Sequence, residues 1–97
     1  MIFDWDENKE KLNIKNHDGI DFDEASEVFL DANIWEVFDK EHSAIDEKRY
    51  VGIGFSSKLF LRVTYTVRFD QAENEVIRII SARKAKKTEE DLYYGKK

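Results

Sequence analysis

The spacing of apolar residues in the first part of the chain predicts a strand followed by two helices. Residues 2–5 alternate in the manner of a short strand. Asp6 then suits the N-cap of a helix over residues 7–16, and Gly19 is the expected exit from that helix. Asp21 and Glu24 stand at the spacing of a capping box, which predicts the start of the second helix.

Apolar residues recur at helical spacing in that second helix. Such a stripe is typical of a helix that packs on a core. We therefore expect the second helix to contribute to the core. The members of the stripe are Phe22, Ala25, Val28 and Phe29.

The rest of the chain predicts four strands and a final helix. Because short turns separate adjacent strands, they are expected to form an antiparallel meander. The predicted fold class is α+β in the order β-α-α-β-β-β-β-α, with the two N-terminal helices on one face of the sheet. The strands are residues 33–38, 49–55, 59–68 and 76–83, and the helix runs from about Lys86 to Gly95.

Alternation along residues 59–68 predicts that the sheet has one apolar and one polar face, because successive side chains of a strand point to opposite sides. The uncovered face is expected to be polar and to be flanked by the basic final helix. One face would hold Leu61, Val63, Tyr65 and Val67, and the other Phe60, Arg62, Thr64, Thr66 and Arg68.

Composition limits the class of protein. With 97 residues and 41% hydrophobic residues, residues 1–97 are expected to form one domain with one core. The absence of cysteine excludes a disulfide framework and a thiolate metal site, and it fits a reducing cytoplasm. Neither a signal-like N-terminus nor an apolar run of ~18 residues is present, so we expect a cytoplasmic protein without membrane contact.

The net charge of −5 conceals an uneven distribution. Residues 1–47 contain 15 acidic and 4 basic side chains, a balance of −11. Residues 48–97 contain 12 basic and 6 acidic side chains, a balance of +6. A basic half with arginines in its strands is typical of a protein that binds a phosphate-bearing partner.

Several kinds of enzyme site are absent from the sequence. Gly52 and Gly54 lie within a predicted strand and lack the following glycine and lysine of a phosphate-binding loop. His17 and His42 are far apart and lack partners at metal-ligand spacing, so no metal is expected. The sequence also contains no nucleophile elbow of a serine hydrolase.

A group of residues near strand ends fits RNA cleavage without a metal. That reaction needs a base for the 2′-hydroxyl proton, cations for the phosphorane and an acid for the leaving oxygen. Glu47 or His42 would serve as the base, and arginine forks suit the phosphate. An ordinary surface ion pair between Glu47 and Arg49 is the alternative. The group comprises His42, Glu47, Lys48, Arg49, Tyr65, Arg68 and Arg83.

Short segments over almost the whole chain resemble the BrnT toxin family of type II toxin–antitoxin systems. The combination is specific, although each segment alone is short. The early segments are Phe3-Asp-Trp-Asp6, Asn13-Ile-Lys-Asn-His17, Gly19, Phe22-Asp-Glu-Ala25 and Val28-Phe29. The later ones are His42-Ser43, Glu47-Lys-Arg49, Ile53-Gly54, Ser56, Thr64-Tyr-Thr66, Arg68, Arg78-Ile-Ile-Ser-Ala-Arg83, Ala85, Glu89 and Tyr93.

The resemblance implies a small ribonuclease toxin with a RelE-like fold that cleaves RNA without a cofactor and inhibits translation. It implies that Arg68 and Arg83 stabilise the transition state and that Glu47 acts as a base. The expected catalytic residues are Glu47, Arg49, Arg68 and Arg83, and the expected RNA-binding residues are His42, Lys48, Arg62, Tyr65 and Lys84.

The resemblance also implies a protein partner. This is a BrnA-like antitoxin with a ribbon-helix-helix domain, which would form a two-plus-two heterotetramer with the toxin and connect it indirectly to operator DNA. The uneven charge equally suits a second hypothesis, a non-catalytic relative that only binds an acidic antitoxin segment.

Overall fold

The computed structural model describes residues 1–95, so Lys96 and Lys97, the end of the predicted domain, lie outside the described residues. Residues 1–95 form five strands, three α-helices and a 3₁₀ turn at Val28–Leu30. The strands are β1 (Ile2–Trp5), β2 (Trp35–Phe38), β3 (Arg49–Phe55), β4 (Phe60–Phe69) and β5 (Glu75–Lys84). The helices are α1 (Glu7–Asn16), α2 (Phe22–Glu27) and α3 (Lys87–Tyr93). The predicted α+β class and element order are confirmed, and the RelE-like likeness stays a prediction. The prediction that the final helix is basic is wrong, because α3 carries Glu89, Glu90 and Asp91 against a single lysine.

Four of the five strands form the predicted antiparallel meander. The sheet has the order β1-β5-β4-β3-β2, and each of the last four strands pairs antiparallel with its neighbour. β1 instead pairs in parallel with β5, so the sheet is mixed. This pairing does not follow from short turns, because α1 and α2 separate β1 from the next strand and no hairpin fixes its position.

One face of the sheet packs against α2 and the 3₁₀ turn and holds the core, whereas α1 lies along the edge of β5 and buries only Asn13. Phe22, Ala25 and Val28 of the predicted apolar stripe are fully buried at 0% exposure, and Phe29 packs beside them, so the prediction of a core stripe is confirmed. Burial of a large aliphatic or aromatic side chain contributes about 1.5–3 kcal/mol to stability. The other members of the core cluster are Ile20, Leu61, Val63, Ile79 and Ala82.

A buried asparagine connects α1 to the edge of β5. Asn13 donates hydrogen bonds to the carbonyl oxygens of Ile20 at 3.0 Å and Ala82 at 2.8 Å, and it accepts one from the Ala82 N–H at 2.9 Å. β1 reaches only as far as Ile79 along β5, so the asparagine satisfies backbone groups that have no strand partner. These bonds fix the part of β5 that carries Arg83.

A bulge in β5 decides where the arginines of this strand point. The register shifts by one residue beside Thr64 of β4, which leaves Ile80 of β5 without a cross-strand partner. Strict alternation would place Arg78 and Arg83, five residues apart, on opposite faces. The extra residue reverses the alternation, so both arginines lie on the face opposite α2.

α3 covers one end of that second face through aromatic contacts. The Tyr93 ring packs edge-on against Phe60 and Phe55, with ring centroids 4.9 Å and 5.6 Å away. The Tyr93 hydroxyl donates a hydrogen bond to the Asp31 carboxylate at 2.8 Å. Burial of the tyrosine, followed by this hydrogen bond, raises the pKa of Tyr93 to about 12. The helix therefore has a fixed position against the sheet.

Candidate functional site

Five arginines of residues 1–95 lie together on the sheet face opposite α2. Alternation along β3, β4 and β5, combined with the bulge in β5, directs all of them to this side. α3 covers only one end of the face, so the other end is open to solvent. We call this surface the arginine face, and its arginines are Arg49, Arg62, Arg68, Arg78 and Arg83.

The arginine face is organised in rows that cross the strands. At the end near α3, Arg62 is the direct cross-strand partner of Arg83. The next row contains the small hydroxyl side chains of Thr64 and Ser81, and the row beyond it contains Arg49. Successive rows on one face are about 6.6 Å apart, so about 13 Å separates the row of Arg62 and Arg83 from the row of Arg49.

A cleft of ≈ 210 Å³ lies between these rows. Arg62 extends over it and donates from Nη1 to the Thr64 hydroxyl at 3.2 Å. Guanidinium and hydroxyl donors in a small cleft suit a phosphate group, because charge-assisted hydrogen bonds to phosphate are strong. The lining residues are Asp39, His42, Arg49, Arg62, Thr64 and Ser81.

The loop between β2 and β3 holds His42 at the edge of this cleft. The Ser43 hydroxyl donates to the Asp39 carbonyl at 2.6 Å and accepts from the Arg49 N–H at 2.8 Å. The Asp39 N–H in turn donates to the Arg49 carbonyl at 2.8 Å. Both ends of the loop are therefore tied to the start of β3, which places the histidine beside Arg49.

His42 binds a carboxylate through one ring nitrogen. Its Nδ1 lies 2.8 Å from Asp39 Oδ2, and its backbone N–H donates to Asp39 Oδ1 at 3.3 Å. Burial raises the pKa of Asp39, but the hydrogen bonds from His42 and the charges of His42 and Arg62 outweigh this effect and leave the pKa below its ordinary value. Asp39 is therefore an ionised acceptor at neutral pH.

Glu47 and Arg49 form the ion pair that the sequence offered as the alternative to a catalytic role. Arg49 Nε donates to Glu47 Oε1 at 2.8 Å, and the two side chains are 30% and 38% exposed. This hydrogen bond is the main reason why the pKa of Glu47 is lowered; burial opposes it, and the charges of Arg49, Lys9 and Arg68 add to it. The pair also holds the Arg49 guanidinium at the cleft.

A single carboxylate of α3 binds both arginines at the other end of the face. Arg83 donates to the two carboxylate oxygens of Glu89 at 2.8 Å and 2.7 Å, and Arg62 Nε lies 3.2 Å from Glu89 Oε2. Burial of Glu89 raises its pKa, but the hydrogen bonds from Arg83 and from the Lys86 N–H outweigh it, so the net pKa is lowered. Both cations are therefore already partnered.

Two predicted RNA-binding residues lie away from this group. Tyr65 is 3% exposed on the helix-covered face, where its hydroxyl donates to the Glu36 carboxylate. Burial and then this hydrogen bond raise the pKa of Tyr65. Lys84 lies on the same side of the sheet, 3.8 Å from an Asp18 oxygen. The structure does not bring either residue to the arginine face.

Other predicted residues do lie at the open end. Arg68 is exposed on the arginine face, and its charge reaches Glu47. Lys48 is exposed at the end of the loop, directly before β3. The structure therefore brings His42, Arg49 and Arg62 to the cleft, with Glu47 bound to Arg49. Arg68 lies on the same face one row beyond Arg49, and Lys48 precedes β3.

The sequence analysis missed two residues of the cleft. Asp39 stands three residues before His42, a spacing at which aspartate often bonds to the following turn, and this signal was available. Ser81 stands two residues before Arg83, so alternation along the strand places both side chains on one face, and this signal was also available. Among residues 1–95, no set of three or more His, Cys, Asp or Glu side chains is arranged to hold a metal ion. None of the helices in this range has the length and apolar character needed to cross a bilayer.

Comparison with known proteins gives one family. The sequence model of a family described as the ribonuclease toxin BrnT of type II toxin–antitoxin systems matches residues 5–89. No curated protein matches the chain. The matched range contains the cleft, every residue of the arginine face and Glu89, and membership implies RNA as the substrate class and an antitoxin as the partner. The chain belongs to the BrnT family of ribonuclease toxins of type II toxin–antitoxin systems.

Proposed function

We propose that this chain is a metal-independent endoribonuclease whose arginine face binds the RNA backbone and whose cleavage centre is the cleft beside His42. The observation that carries the proposal is the cleft itself, in which two guanidinium groups, two hydroxyl groups and an exposed histidine converge. The family supplies the substrate class, and this arrangement supplies a phosphate site with a proton acceptor next to it.

In the proposed reaction, His42 Nε2 takes the proton of a ribose 2′-hydroxyl. The 2′-oxygen forms a bond to the adjacent phosphorus while the bond from phosphorus to the 5′-oxygen breaks. The leaving oxygen takes a proton from water, and the products are a 2′,3′-cyclic phosphate and a 5′-hydroxyl. Arg49 and Arg62 stabilise the negative charge that develops on the phosphorane.

In this proposal, Glu47 positions Arg49 and does not serve as the base. Its carboxylate already accepts a hydrogen bond from the guanidinium, and a lowered pKa makes it a weaker proton acceptor. Arg68, Arg83 and Lys48 bind flanking phosphates. Tyr65 and Lys84 are left out because they lie on the helix-covered side.

The proposed biological role is inhibition of translation through RNA cleavage. A BrnA-like antitoxin with a ribbon-helix-helix domain would neutralise the toxin in a two-plus-two complex and connect it to operator DNA. The open, cationic part of the arginine face supports this proposal, because an acidic antitoxin segment is complementary to it.

The test is incubation of the purified chain with RNA in the presence of EDTA. Wild type is expected to produce fragments with 2′,3′-cyclic phosphate ends, and His42→Ala should lower the rate by about 100-fold or more, because the general base is lost. Lys11→Ala, an exposed charge change on α1, is the matched control and should keep the wild-type rate.

Two outcomes would contradict the proposal. Cleavage that requires added Mg²⁺ would overturn metal independence. Intact RNA with wild type, both alone and with translating ribosomes, would instead favour the non-catalytic module that only binds an antitoxin.

A further inference from the structure

We infer that Asp39 is a positioning residue for RNA cleavage, whose carboxylate holds the His42 ring in the tautomer and orientation required for proton transfer. The inference rests on the proposed function, because it assigns Asp39 a role in the reaction of that same cleft. Asp39 acts through His42 and needs no contact of its own with RNA.

The exposure of the two side chains matches this division of roles. The His42 side chain is 63% exposed, whereas the Asp39 side chain is only 13% exposed. The carboxylate uses one oxygen for the ring nitrogen and the other for the His42 backbone N–H. Because one carboxylate binds both the backbone N–H and the ring nitrogen Nδ1, the ring keeps a fixed direction while its Nε2 edge faces solvent.

The hydrogen bond decides which ring nitrogen reacts. An ionised carboxylate only accepts hydrogen bonds, so His42 Nδ1 must carry a hydrogen toward Asp39. The neutral ring then has its lone pair on Nε2, the nitrogen that points away from the carboxylate and is free to accept a proton. After the proton arrives, the carboxylate stabilises the positive ring, as a buried aspartate does in a catalytic triad.

Asp39 is itself fixed to the strand that carries a phosphate-binding arginine. Its N–H donates to the Arg49 carbonyl, and its own carbonyl accepts from Ser43, which also binds the Arg49 N–H. The proton acceptor and the guanidinium are therefore positioned by one set of backbone bonds. Such a fixed relation favours catalysis because the reacting groups need no further ordering.

The first experiment compares Asp39→Asn with wild type on a short fluorogenic RNA in EDTA. We expect kcat to fall by about 10- to 100-fold while KM changes by less than about twofold, since the ring loses its orientation and RNA binding remains. The matched control is Asp46→Asn, the same change in the same loop, and it should keep the wild-type kcat. An unchanged kcat, or a higher KM with unchanged kcat, would overturn the inference.

A second readout does not depend on activity. The chain has two histidines, so a His17→Gln background leaves His42 alone for nitrogen NMR. We expect the neutral ring to carry its hydrogen on Nδ1, and Asp39→Asn to shift it toward the Nε2-protonated form. An Nε2-protonated ring in the chain with Asp39 intact would overturn the inference.

A double-mutant comparison tests whether Asp39 positions the His42 ring or only stabilises the loop. In a His42→Ala background, Asp39→Asn is expected to lower kcat no further, because its effect passes through the missing ring. A further fall would assign Asp39 a structural role and overturn the inference. Failure of wild type to cleave RNA overturns the proposed function, whereas cleavage with an unaffected Asp39→Asn variant overturns only the role of Asp39.

Discussion

The two ends of the arginine face differ in how their cations are partnered. At the end near α3, Arg62 and Arg83 share the carboxylate of Glu89, whose side chain is 14% exposed and uses both oxygens. At the loop end, Arg49 makes a single hydrogen bond to Glu47, whose side chain is 38% exposed.

Arginines on one sheet face therefore differ in how readily they exchange their carboxylate partner for a ligand. Breaking a buried ion pair leaves an uncompensated charge and costs several kcal/mol, whereas an exposed pair contributes only about 0–1 kcal/mol. A phosphate therefore displaces Glu47 from Arg49 more readily than it displaces Glu89 from Arg83. We infer that Arg83 mainly maintains the structure and that Arg49 mainly binds the reacting phosphate. Arg62 belongs to both ends, because it contacts Glu89 and also lines the cleft.

Arg49→Ala should have the largest effect and tests the loop end. We expect kcat/KM for RNA cleavage to fall by about 100- to 1000-fold, the usual loss when one group that stabilises transition-state charge is removed. Arg83→Ala should lower kcat/KM by a clearly smaller factor, once the rates are corrected for the folded fraction measured by circular dichroism. A greater loss in Arg83→Ala than in Arg49→Ala would reverse the comparison and support the role first predicted for Arg83.

Glu89→Gln tests the end near α3 and should affect stability more than chemistry. We expect the free energy of unfolding in urea at neutral pH to fall by about 1–3 kcal/mol, because two partly buried cations lose their charged partner. Glu90→Gln is the matched control, since its carboxylate forms no ion pair within residues 1–95.

The same variant has an expected pH dependence. The folded-state pKa of Glu89 is lowered, so its stabilising effect is complete above the ordinary pKa of a glutamate and is lost as the pH falls through the folded-state value. The difference in unfolding free energy between wild type and Glu89→Gln should therefore shrink on acidification. A constant difference down to acid pH would contradict the assignment.

Lys84→Ala should have the smallest effect and tests the boundary of the face. We expect less than about a twofold change in RNA affinity, because the side chain lies on the helix side near Asp18. Lys48→Ala removes the same charge at the loop end and should lower the affinity for RNA. The slope of log affinity against log salt concentration should fall by about one, the value for one phosphate contact. Equal losses in both variants would show that RNA also reaches the helix side.

The sequence predicted the parts of the fold that depend on local periodicity. The apolar stripe at Phe22 and the alternation along β4 were sufficient to assign a helix-covered face and a polar face. The parallel partner of β1 was not predictable in this way, because strand pairing across two helices depends on contacts between distant residues. The bulge at Ile80 was also missed, since nothing in a β-branched run marks which residue will lack a partner.

The candidate site was predictable to a similar depth. Arg62 and Arg68 follow from alternation alone, and Glu47 and Arg49 were predicted from their position at the start of a strand, which the resemblance then supported. The ion-pair partner of each arginine could not be predicted in this way. Glu89 contacts Arg62 and Arg83 only because α3 packs on the sheet.

The bulge in β5 also has a consequence at the level of the gene. A codon change at Ile80 leaves every other side chain of the strand on its present side. Loss of that codon would move the side chains on one side of the deletion to the opposite face of the sheet. Either Arg83 would then point into the core, or the buried isoleucines would point away from it. Position 80 is therefore expected to tolerate changes in residue type during evolution, whereas the length of β5 is expected to stay constant.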